Sequence, residues 1–295
     1  MAKYAIGLDV GGTKIHAIIA EWDKDFLDTR KTPKIIQSRR IAVQSKKSAE
    51  RFFSEITGEI SRLIKEFGKN DIARVGVGIA GPLSRDKVIL NPLNLPFKNF
   101  PILKNLKEKF GPRVYVDNDA NCFAWAEHLF GAAAAASSSV GITLGTGLGG
   151  GIVLDLNGES ILYDGYHGSA GEVGHMIIDG KKTFEELCSS RARHLWKDGN
   201  ALRVQRLAES GDKKAQEAYK EYGFWLGVGI ANIINTLNPQ IIVIGGSISK
   251  AWEFFEEDMR ASRERYIISP LAKKTKIVRA KLGDDAGALG AAYLL

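Results

Sequence analysis

The 295-residue chain has few cysteines and lacks any long run of hydrophobic residues. Its two cysteines, Cys122 and Cys188, lie in unrelated segments, which excludes a disulfide framework and fits a reducing cytoplasm. No apolar run approaches the ~20 residues that a membrane span requires. Strand-like sequence begins at Tyr4, so we expect no signal peptide and no preceding DNA-binding module. The sequence therefore predicts a cytoplasmic protein with no membrane partner.

The chain also lacks concentrated charge of either sign. It has 41 lysines and arginines against 34 aspartates and glutamates, a net charge of +7. The basic clusters, such as Arg39-Arg40 and Lys273-Lys274, are short and are not interleaved with aromatic residues as a base-stacking groove would be. This pattern favours a solvated surface, of a kind suited to polyanionic substrates, over a nucleic-acid partner.

Two glycine-rich turns stand out among the residues that are present. The first lies in IGLDVGGTK, from Ile6 to Lys14, and the second in ITLGTGLGGG, from Ile142 to Gly151. Each predicts a strand, a tight turn and a returning strand, with backbone N–H groups available to an anion. Neither has the spacing of a Walker loop, and no helix follows the first as a Rossmann fingerprint requires. Two such turns predict an enzyme that binds the phosphate chain of a nucleotide from both sides, within a cleft.

Between and after these turns, apolar strand patterns alternate with helical periodicity, which predicts an α/β fold. The predicted strands cover 4–10, 15–20, 74–80, 114–116, 140–144, 151–156, 241–244 and 276–280. The predicted helices cover 49–67, 103–110, 121–130, 202–237 with an interruption at 211–212, 252–266 and 286–295. The five alanines at 132–136 indicate a flexible surface connection. A domain boundary is expected near Val116.

Asp9 ends the first strand just before Gly11, Gly12, Thr13 and Lys14. A carboxylate at this point can hold Mg²⁺ through water while the threonine and the amides hold phosphate oxygens. The alternative is a type I′ hairpin that merely contains an aspartate.

The segment VDNDAN places two carboxylates, Asp117 and Asp119, with Asn118 between them, where a strand meets a helix N-terminus. The helix dipole keeps such a carboxylate ionised, so that it can accept the proton of an attacking hydroxyl. The alternative is helix capping, which one aspartate would satisfy.

Three further segments carry polar groups suited to a ligand. Asn94 is the hydrogen-bonding side chain of the loop NPLNLPF, which could equally be an ordinary proline-rich connection. Glu172 and His175, three residues apart in GSAGEVGH, suit recognition of vicinal hydroxyls. No zinc site is expected, because no further histidine or cysteine lies at ligand spacing. Gly245-Gly246 follows the strand IIVI, at the usual place for a ligand.

Taken together, these motifs resemble the ROK family (repressors, open reading frames and kinases) of the actin-like ATPase superfamily. The likeness runs from Ile6 to Ala292 through GLDVGGTK, GIAGPL, NLPF, DNDAN, TLGTGLGGG, GEVGH, NPQIIVIGGSIS and GDDAGALGAA. It implies a two-domain α/β fold of the actin-like (ribonuclease H-like) kind, with a cleft between the domains. The expected small domain is 1–117 plus the C-terminal helix 284–295, which packs back on it, and the large domain is 118–283.

The resemblance also implies roles for individual residues. Asp119 would be the catalytic base that takes the proton from the sugar hydroxyl, most simply O6. The other expected sugar-binding residues are Asn94, Asn118, Glu172 and His175. The residues expected to bind ATP, with Asp9 also near Mg²⁺ through water, are Asp9, Gly11, Gly12, Thr13, Lys14, Thr146, Gly147, Gly245 and Gly246.

The chain departs from the family where most members carry a zinc loop with the pattern CxCGxxGC. Here His175 is followed by MIIDGKKTFEELCSS, which is shorter and lacks those three cysteines. We therefore expect no zinc and assign the next sugar-contacting glutamate to Glu185, with Glu186 as the alternative. Zinc-less members include polyphosphate-using glucokinases and some acylmannosamine kinases.

The resulting hypothesis is a cytoplasmic, ATP- and Mg²⁺-dependent kinase that phosphorylates glucose or a close hexose. The alternatives are another sugar (N-acetylmannosamine, N-acetylglucosamine, fructose or mannose), polyphosphate as the donor, a sugar-sensing regulator without enzymatic activity, and a polymerising or chaperone-type actin-like ATPase. The family also implies a homodimer.

Overall fold

The computed structural model describes residues 3–44, 48–92, 94–196 and 200–295. The chain divides into two compact units. The first unit comprises Met1–Ser137, Gly151–Gly171 and Lys281–Leu295, and the second comprises Ser138–Gly150 and Glu172–Ala280. The domain limits expected from the sequence, after residue 117 and before residue 284, stay a prediction.

Strands and helices alternate along most of the described chain. The strands are β1 (Tyr4–Val10), β2 (Lys14–Glu21), β3 (Ile35–Ala42), β4 (Ile72–Ile79), β5 (Val114–Asn118), β6 (Ser138–Leu144), β7 (Leu148–Leu156), β8 (Glu159–Leu162), β9 (Ile177–Asp179), β10 (Lys182–Thr183), β11 (Ile241–Gly245) and β12 (Lys276–Arg279). The α-helices are α1 (Phe26–Thr29), α2 (Ala49–Phe67), α3 (Ile102–Phe110), α4 (Asp119–Leu129), α5 (Phe184–Cys188), α6 (Ala201–Glu209), α7 (Lys213–Leu237), α8 (Glu256–Tyr266) and α9 (Ala286–Ala292).

The first unit is built on a five-stranded sheet of order β3-β2-β1-β4-β5. β1 pairs antiparallel with β2 and parallel with β4, and β4 pairs parallel with β5. Leu8, Val77 and Val116 point to one face, where they form a core with Phe52 of α2 and Leu106 of α3. Because β1, β4 and β5 end side by side, the residues that follow them are brought to one edge of this sheet.

The opposite face of this sheet is covered by α9. Gly7 and Gly76 make the close approach possible, because a Cβ at either position would overlap the backbone carbonyl of Ala288 or Ala291. This contact confirms that the final helix packs back on the N-terminal sheet.

The second five-stranded sheet has the order β12-β11-β6-β7-β8. β11 pairs parallel with β6 and with β12, and β7 pairs antiparallel with β8. In the second unit, Gly223 and Gly227 of α7 allow α8 to pack closely, because a Cβ at either glycine would meet the α8 segment at Phe255 or Met259.

One local prediction is wrong and another is correct only in part. The alanine-rich stretch is not a surface connection, since Ala133 and Ala136 are buried and the N–H of Ala132 donates to the buried carboxylate of Glu127. The helix predicted over 252–266 begins later, as α8 at Glu256, and is preceded by a 3-10 segment, Ile248–Phe254. Among the described residues, no helix combines the length and the apolar character needed to cross a membrane.

Candidate active site

The first glycine turn joins β1 to β2. The N–H of Gly11 donates to the carbonyl of Lys14 at 3.0 Å, and the side chains of Thr13 and Lys14 are exposed. A Cβ at Gly12 would overlap the carbonyl oxygen of Asn94. Glycine is therefore required for Asn94 to lie against the turn, next to the predicted phosphate-binding residues.

Asp9, at the end of β1, lies near Asp119 at the start of α4. Burial of the Asp9 carboxyl and the negative charge of Asp119 raise the pKa of Asp9 to about 7, while Lys14 acts in the opposite direction. Gly287 of α9 packs directly on this carboxyl group. A carboxyl group whose ionisation is disfavoured, with a second carboxyl group nearby, forms a site at which a divalent cation would be stabilised.

In the VDNDAN segment the residue that caps helix α4 is Asn118, not one of the two aspartates. Asn118 Oδ1 accepts from the N–H groups of Ala120 at 2.8 Å and Asn121 at 3.3 Å, and its Nδ2 donates to the carbonyl of Gly81 at 3.1 Å. Asp119 is the first residue of α4, and its Oδ1 accepts from the N–H of Ala120 at 2.9 Å. The position favours an ionised carboxylate, which can accept a proton from a substrate hydroxyl.

The second glycine turn, between β6 and β7, is held by the segment after α5. The N–H of Ser190 donates to the carbonyl of Gly145 at 2.9 Å, and its hydroxyl donates to the carbonyl of Thr146 at 3.2 Å. The side chain of Thr146 is exposed.

Glu185 lies against this second turn. Its Oε2 accepts from the N–H of Leu148 at 3.0 Å, and its Oε1 pairs with Arg191 at 2.6 Å. A Cβ at Gly147 would overlap Oε2 of Glu185. Arg191 was not anticipated from the sequence, because nothing in the FEELCSSRA segment distinguishes an arginine that pairs with a site carboxylate from a solvated one.

Glu186, the alternative to Glu185, has a structural role. It forms a capping box with Thr183 at the N-terminus of α5, in which each side chain bonds to the backbone N–H of the other residue. The N–H and the hydroxyl of Thr183 both donate to the Glu186 carboxylate, and these two hydrogen bonds lower its pKa. The two adjacent glutamates therefore point to different tasks, and only Glu185 contacts a predicted site segment.

Glu172 and His175 lie in the same unit as Glu185. His175 Nε2 is 3.8 Å from Glu172 Oε2, and both side chains are substantially exposed. Burial raises the pKa of Glu172, with His175 lowering it and Glu185 raising it further. An imidazole and a carboxylate that remain accessible can donate to and accept from neighbouring hydroxyls of one ligand.

Gly245 and Gly246 end β11 beside the second turn. Gly246 has φ +89°, and a Cβ there would overlap the backbone of Leu144, so the backbone conformation and the close packing both require glycine. Gly145 of the second turn lies close to the hydroxyl of Ser247. The strand end thus leaves a surface without side chains, which a flat ligand can approach closely.

The predicted residues therefore form two groups, one in each unit. Those of the first unit are Asp9, Gly11, Gly12, Thr13, Lys14, Asn94, Asn118 and Asp119. Those of the second unit are Thr146, Gly147, Glu172, His175, Glu185, Gly245 and Gly246.

The carboxyl groups of the first unit suit magnesium. Mg²⁺ is usually held by one or two protein carboxylates, with water and substrate phosphates completing its shell, so Asp9 with Asp119 nearby is a sufficient set. Over residues 3–44, 48–92, 94–196 and 200–295, no group of three or more His, Cys, Asp or Glu side chains could hold a metal ion.

Burial raises the pKa of both thiols, Cys122 and Cys188, well above the ordinary value.

Comparison with known proteins gives a consistent result. The sequence profile of the ROK family matches residues 5–295. The N-acetyl-D-glucosamine kinase of Vibrio cholerae is 30% identical over 314 residues, which cover 98% of this chain and 98% of that kinase. The xylose repressor of Bacillus subtilis is 27% identical over 305 residues, which cover 98% of this chain and 76% of the repressor. The crystal structure of a ROK family glucokinase from Streptomyces griseus, in complex with glucose and AMPPNP, has a TM-score of 0.80 at 27% identity and covers 98% of both chains. The structural likeness confirms the predicted α/β fold of the actin-like class.

Proposed function

The chain belongs to the ROK family, and from this premise we propose that it is a sugar kinase that transfers the γ-phosphate of ATP to a hydroxyl group of a hexose. The observation that carries the proposal is the arrangement at the start of α4. Asn118 caps the helix, and Asp119 occupies its first position near a second carboxyl group, Asp9. A regulator that only senses sugar has no use for a proton acceptor placed beside a potential magnesium site.

In this proposal Asp119 accepts the proton of the attacking hydroxyl, which we assign to O6. The proposed sugar-binding residues are Asn94, Asn118, Glu172, His175 and Glu185. Phosphoryl transfer requires mainly correct positioning and neutralisation of charge, so accurately held hydroxyls account for much of the rate.

The nucleotide would be bound by the two glycine turns and by the end of β11. Gly11, Gly12, Thr13 and Lys14 would hold phosphate oxygens, as would Thr146 and Gly147, and Gly245-Gly246 would lie beneath the adenosine. Asp9 would hold Mg²⁺ through water. The ion would supply neutralisation of the charge on the phosphate oxygens.

The test of the base assignment is the Asp119→Asn variant. General-base catalysis contributes roughly 10²- to 10⁴-fold, so kcat should fall by about that factor while the sugar dissociation constant changes little. Asp28→Asn, which alters an exposed carboxylate of the same unit, is the matched control and should keep the wild-type kcat. A kcat for Asp119→Asn close to the wild-type value would refute the assignment.

The proposed sugar is glucose, supported by the glucose bound to the Streptomyces griseus relative. N-acetylglucosamine is the main alternative, supported by the Vibrio cholerae relative, and N-acetylmannosamine, fructose and mannose remain in the family's range. A coupled assay over these sugars, with ATP and polyphosphate as donors, tests acceptor and donor together. The highest kcat/KM with glucose and ATP is expected.

A sugar-sensing regulator is the second candidate, because the xylose repressor aligns over 98% of this chain. Sugar binding without any phosphorylated product would favour it, whereas ATP hydrolysis without sugar would favour a different actin-like ATPase. We also propose a cytoplasmic homodimer that binds no nucleic acid, for which light scattering should give twice the mass of one chain.

A further inference from the structure

We propose that Lys87 is a positioning residue that acts on Asp119 through the carboxylate of Asp117. The inference rests on the proposed function, because its consequence is a loss of kinase turnover. The three residues all lie in the first unit.

The first observation is the backbone conformation of Lys87. It closes a short turn in which its N–H donates to the carbonyl of Ser84 at 2.8 Å, and the N–H of Ser84 donates to the carbonyl of Val88 at 3.0 Å. Lys87 has φ +54°, in the left-handed region, where glycine or asparagine is the usual residue of such a turn. A lysine at this position imposes backbone strain, which is retained only where the side chain compensates for it.

The second observation is where that side chain goes. Lys87 Nζ donates to Oδ2 of Asp117 at 2.7 Å and lies 3.6 Å from Oδ2 of Asp164. The side chains of Lys87 and Asp117 are only 17% and 10% exposed. A pair this poorly solvated is strongly coupled, so removal of the cation leaves an uncompensated charge on Asp117.

The third observation connects Asp117 to the start of α4, which carries Asp119. Asp117 Oδ1 accepts from the backbone N–H of Asn118 at 2.7 Å and from Nδ2 of Asn121 at 2.8 Å. These bonds hold the residues on both sides of Asp119. One oxygen of the Asp117 carboxylate is bound to Lys87 and the other to Asn118 and Asn121, so the carboxylate has a fixed orientation. The fixed carboxylate in turn holds the segment 118–121 in place.

The consequence concerns the chemical step rather than sugar binding. Without Lys87, the Asp117 carboxylate turns towards water or towards other donors, and its bonds to Asn118 and Asn121 weaken. Asp119 then presents its oxygen to the hydroxyl less accurately, and a displacement of even 1 Å can cost about 10²-fold in rate. The sugar retains its other contacts, so its affinity should change little.

Three substitutions separate the charge from the backbone. Lys87→Met removes the charge and keeps the strained backbone, Lys87→Gly removes both, and Lys87→Arg keeps the charge. Lys107→Met is the matched control, because Lys107 is an exposed lysine beside the same cavity of about 470 Å³ that Lys87 and Asp117 line.

The measurements are kcat, the KM for sugar and the melting temperature. We expect kcat to fall about tenfold in both Lys87→Met and Lys87→Gly, with the sugar KM changed by less than about threefold. Lys87→Gly should melt at a higher temperature than Lys87→Met, because glycine relieves the strain. Equal loss of turnover at unequal stability is not expected of a merely structural residue. Lys87→Arg should recover most of the turnover.

The proposal is overturned if Lys87→Met keeps the wild-type kcat, if kcat follows the melting temperature across the variants, or if Lys107→Met loses as much. A wild-type protein that phosphorylates no sugar would instead refute the proposed function. Backbone amide exchange at 118–121 then decides the role of Lys87 alone. Exchange should be faster than wild type in Lys87→Met and Lys87→Gly, and wild-type exchange in both would overturn the proposal.

Discussion

The substitution Gly147→Ala provides a direct test of how the second glycine turn and Glu185 depend on each other. A methyl group at Gly147 would overlap Oε2 of Glu185, whose carboxylate is bonded to the N–H of Leu148 and to Arg191. Ordinary van der Waals separation requires this carboxylate to move by about 1 Å. Because the bond from Leu148 is 3.0 Å long, such a movement breaks it or stretches it beyond hydrogen-bonding range.

The expected effect has one part in stability and one in activity. Loss of a hydrogen bond to a charged group costs about 1.5–3 kcal/mol of folding free energy, which lowers the melting temperature. If Glu185 contacts the sugar, its displacement by about 1 Å further weakens the alignment of the substrate, for which losses of up to about 10²-fold in rate are typical. We therefore expect kcat/KM for the sugar to fall between about tenfold and about a hundredfold.

The assay is a double-mutant cycle of Gly147→Ala with Glu185→Ala, measured as kcat/KM for the sugar. Glu185→Ala removes the atom that the methyl group meets, so Gly147→Ala should cost much less in that background. Gly58→Ala is the matched control, since no described residue beyond the adjoining turns of α2 comes within 4 Å of the added Cβ. This variant should keep full activity with a slightly more stable helix α2. Equal losses from Gly147→Ala in both backgrounds would refute the reasoning, because the damage would then not pass through Glu185.

Two further predictions concern other groups. Glu185→Gln should raise the sugar KM at least about tenfold. Glu186→Gln weakens only the capping box, so it should leave the sugar KM unchanged and slightly lower the melting temperature. If steady-state kinetics gave the reverse pattern, Glu186 and not Glu185 would be the sugar-binding glutamate. Burial, assisted by the charge of Arg30, lowers the pKa of His128 from 6.5 to about 4. Between pH 6.5 and about pH 4, the imidazole of His128 therefore binds a proton more readily in the unfolded chain than in the folded one. The free energy of unfolding is highest above about pH 6.5 and should decline by up to about 3 kcal/mol as the pH falls to 4. Urea unfolding of the wild type and of His128→Gln at pH 7 and 4.5 measures this loss of unfolding free energy. An equal decline in both proteins would contradict the prediction.

The elements with strong hydrophobic periodicity could be predicted from the sequence. Helix α2 has the predicted limits, Ala49–Phe67, because its apolar residues recur at helical spacing and Ser48 caps it. The buried strand β11 was also predicted within one residue. The edge strand β3, Ile35–Ala42, was missed, since only Ile35, Gln37 and Ile41 are partly buried and the segment carries no apolar run like that of β1.

Predictions failed where the stabilising partner lies far away in the sequence. The alanines at 132–136 suggested a surface connection because small residues provide no pattern of their own. Their distant partner is Arg30, 104 residues away in the sequence, which donates to the carbonyl of Ala134 at 2.9 Å. The same limitation applies to Lys87, whose contact with Asp117 spans 30 residues of sequence.

At the candidate site, the residue types could be predicted from the sequence. Which of several adjacent residues has a structural role and which faces the site could not. The sequence left capping and catalysis as alternatives for the DNDAN segment. The structure shows that Asn118 performs the capping, so the N-cap role does not fall to Asp119. Only side-chain direction distinguishes these cases, since adjacent residues on a strand or helix point to different surroundings.

The shortened segment after His175 raises the question of what holds Glu185 without the zinc loop that the family resemblance leads one to expect. In this chain α5 is anchored by packing and hydrogen bonds. The ring of Phe184 lies directly on Gly229 of α7, where any Cβ would collide with it, and the hydroxyl of Tyr222, also on α7, donates to the carbonyl of Cys188 at 3.1 Å. All these groups are buried, so both ends of the short helix are tied to α7. Glu185, the second residue of α5, is thereby directed at the second glycine turn by a hydrophobic contact and a buried hydrogen bond.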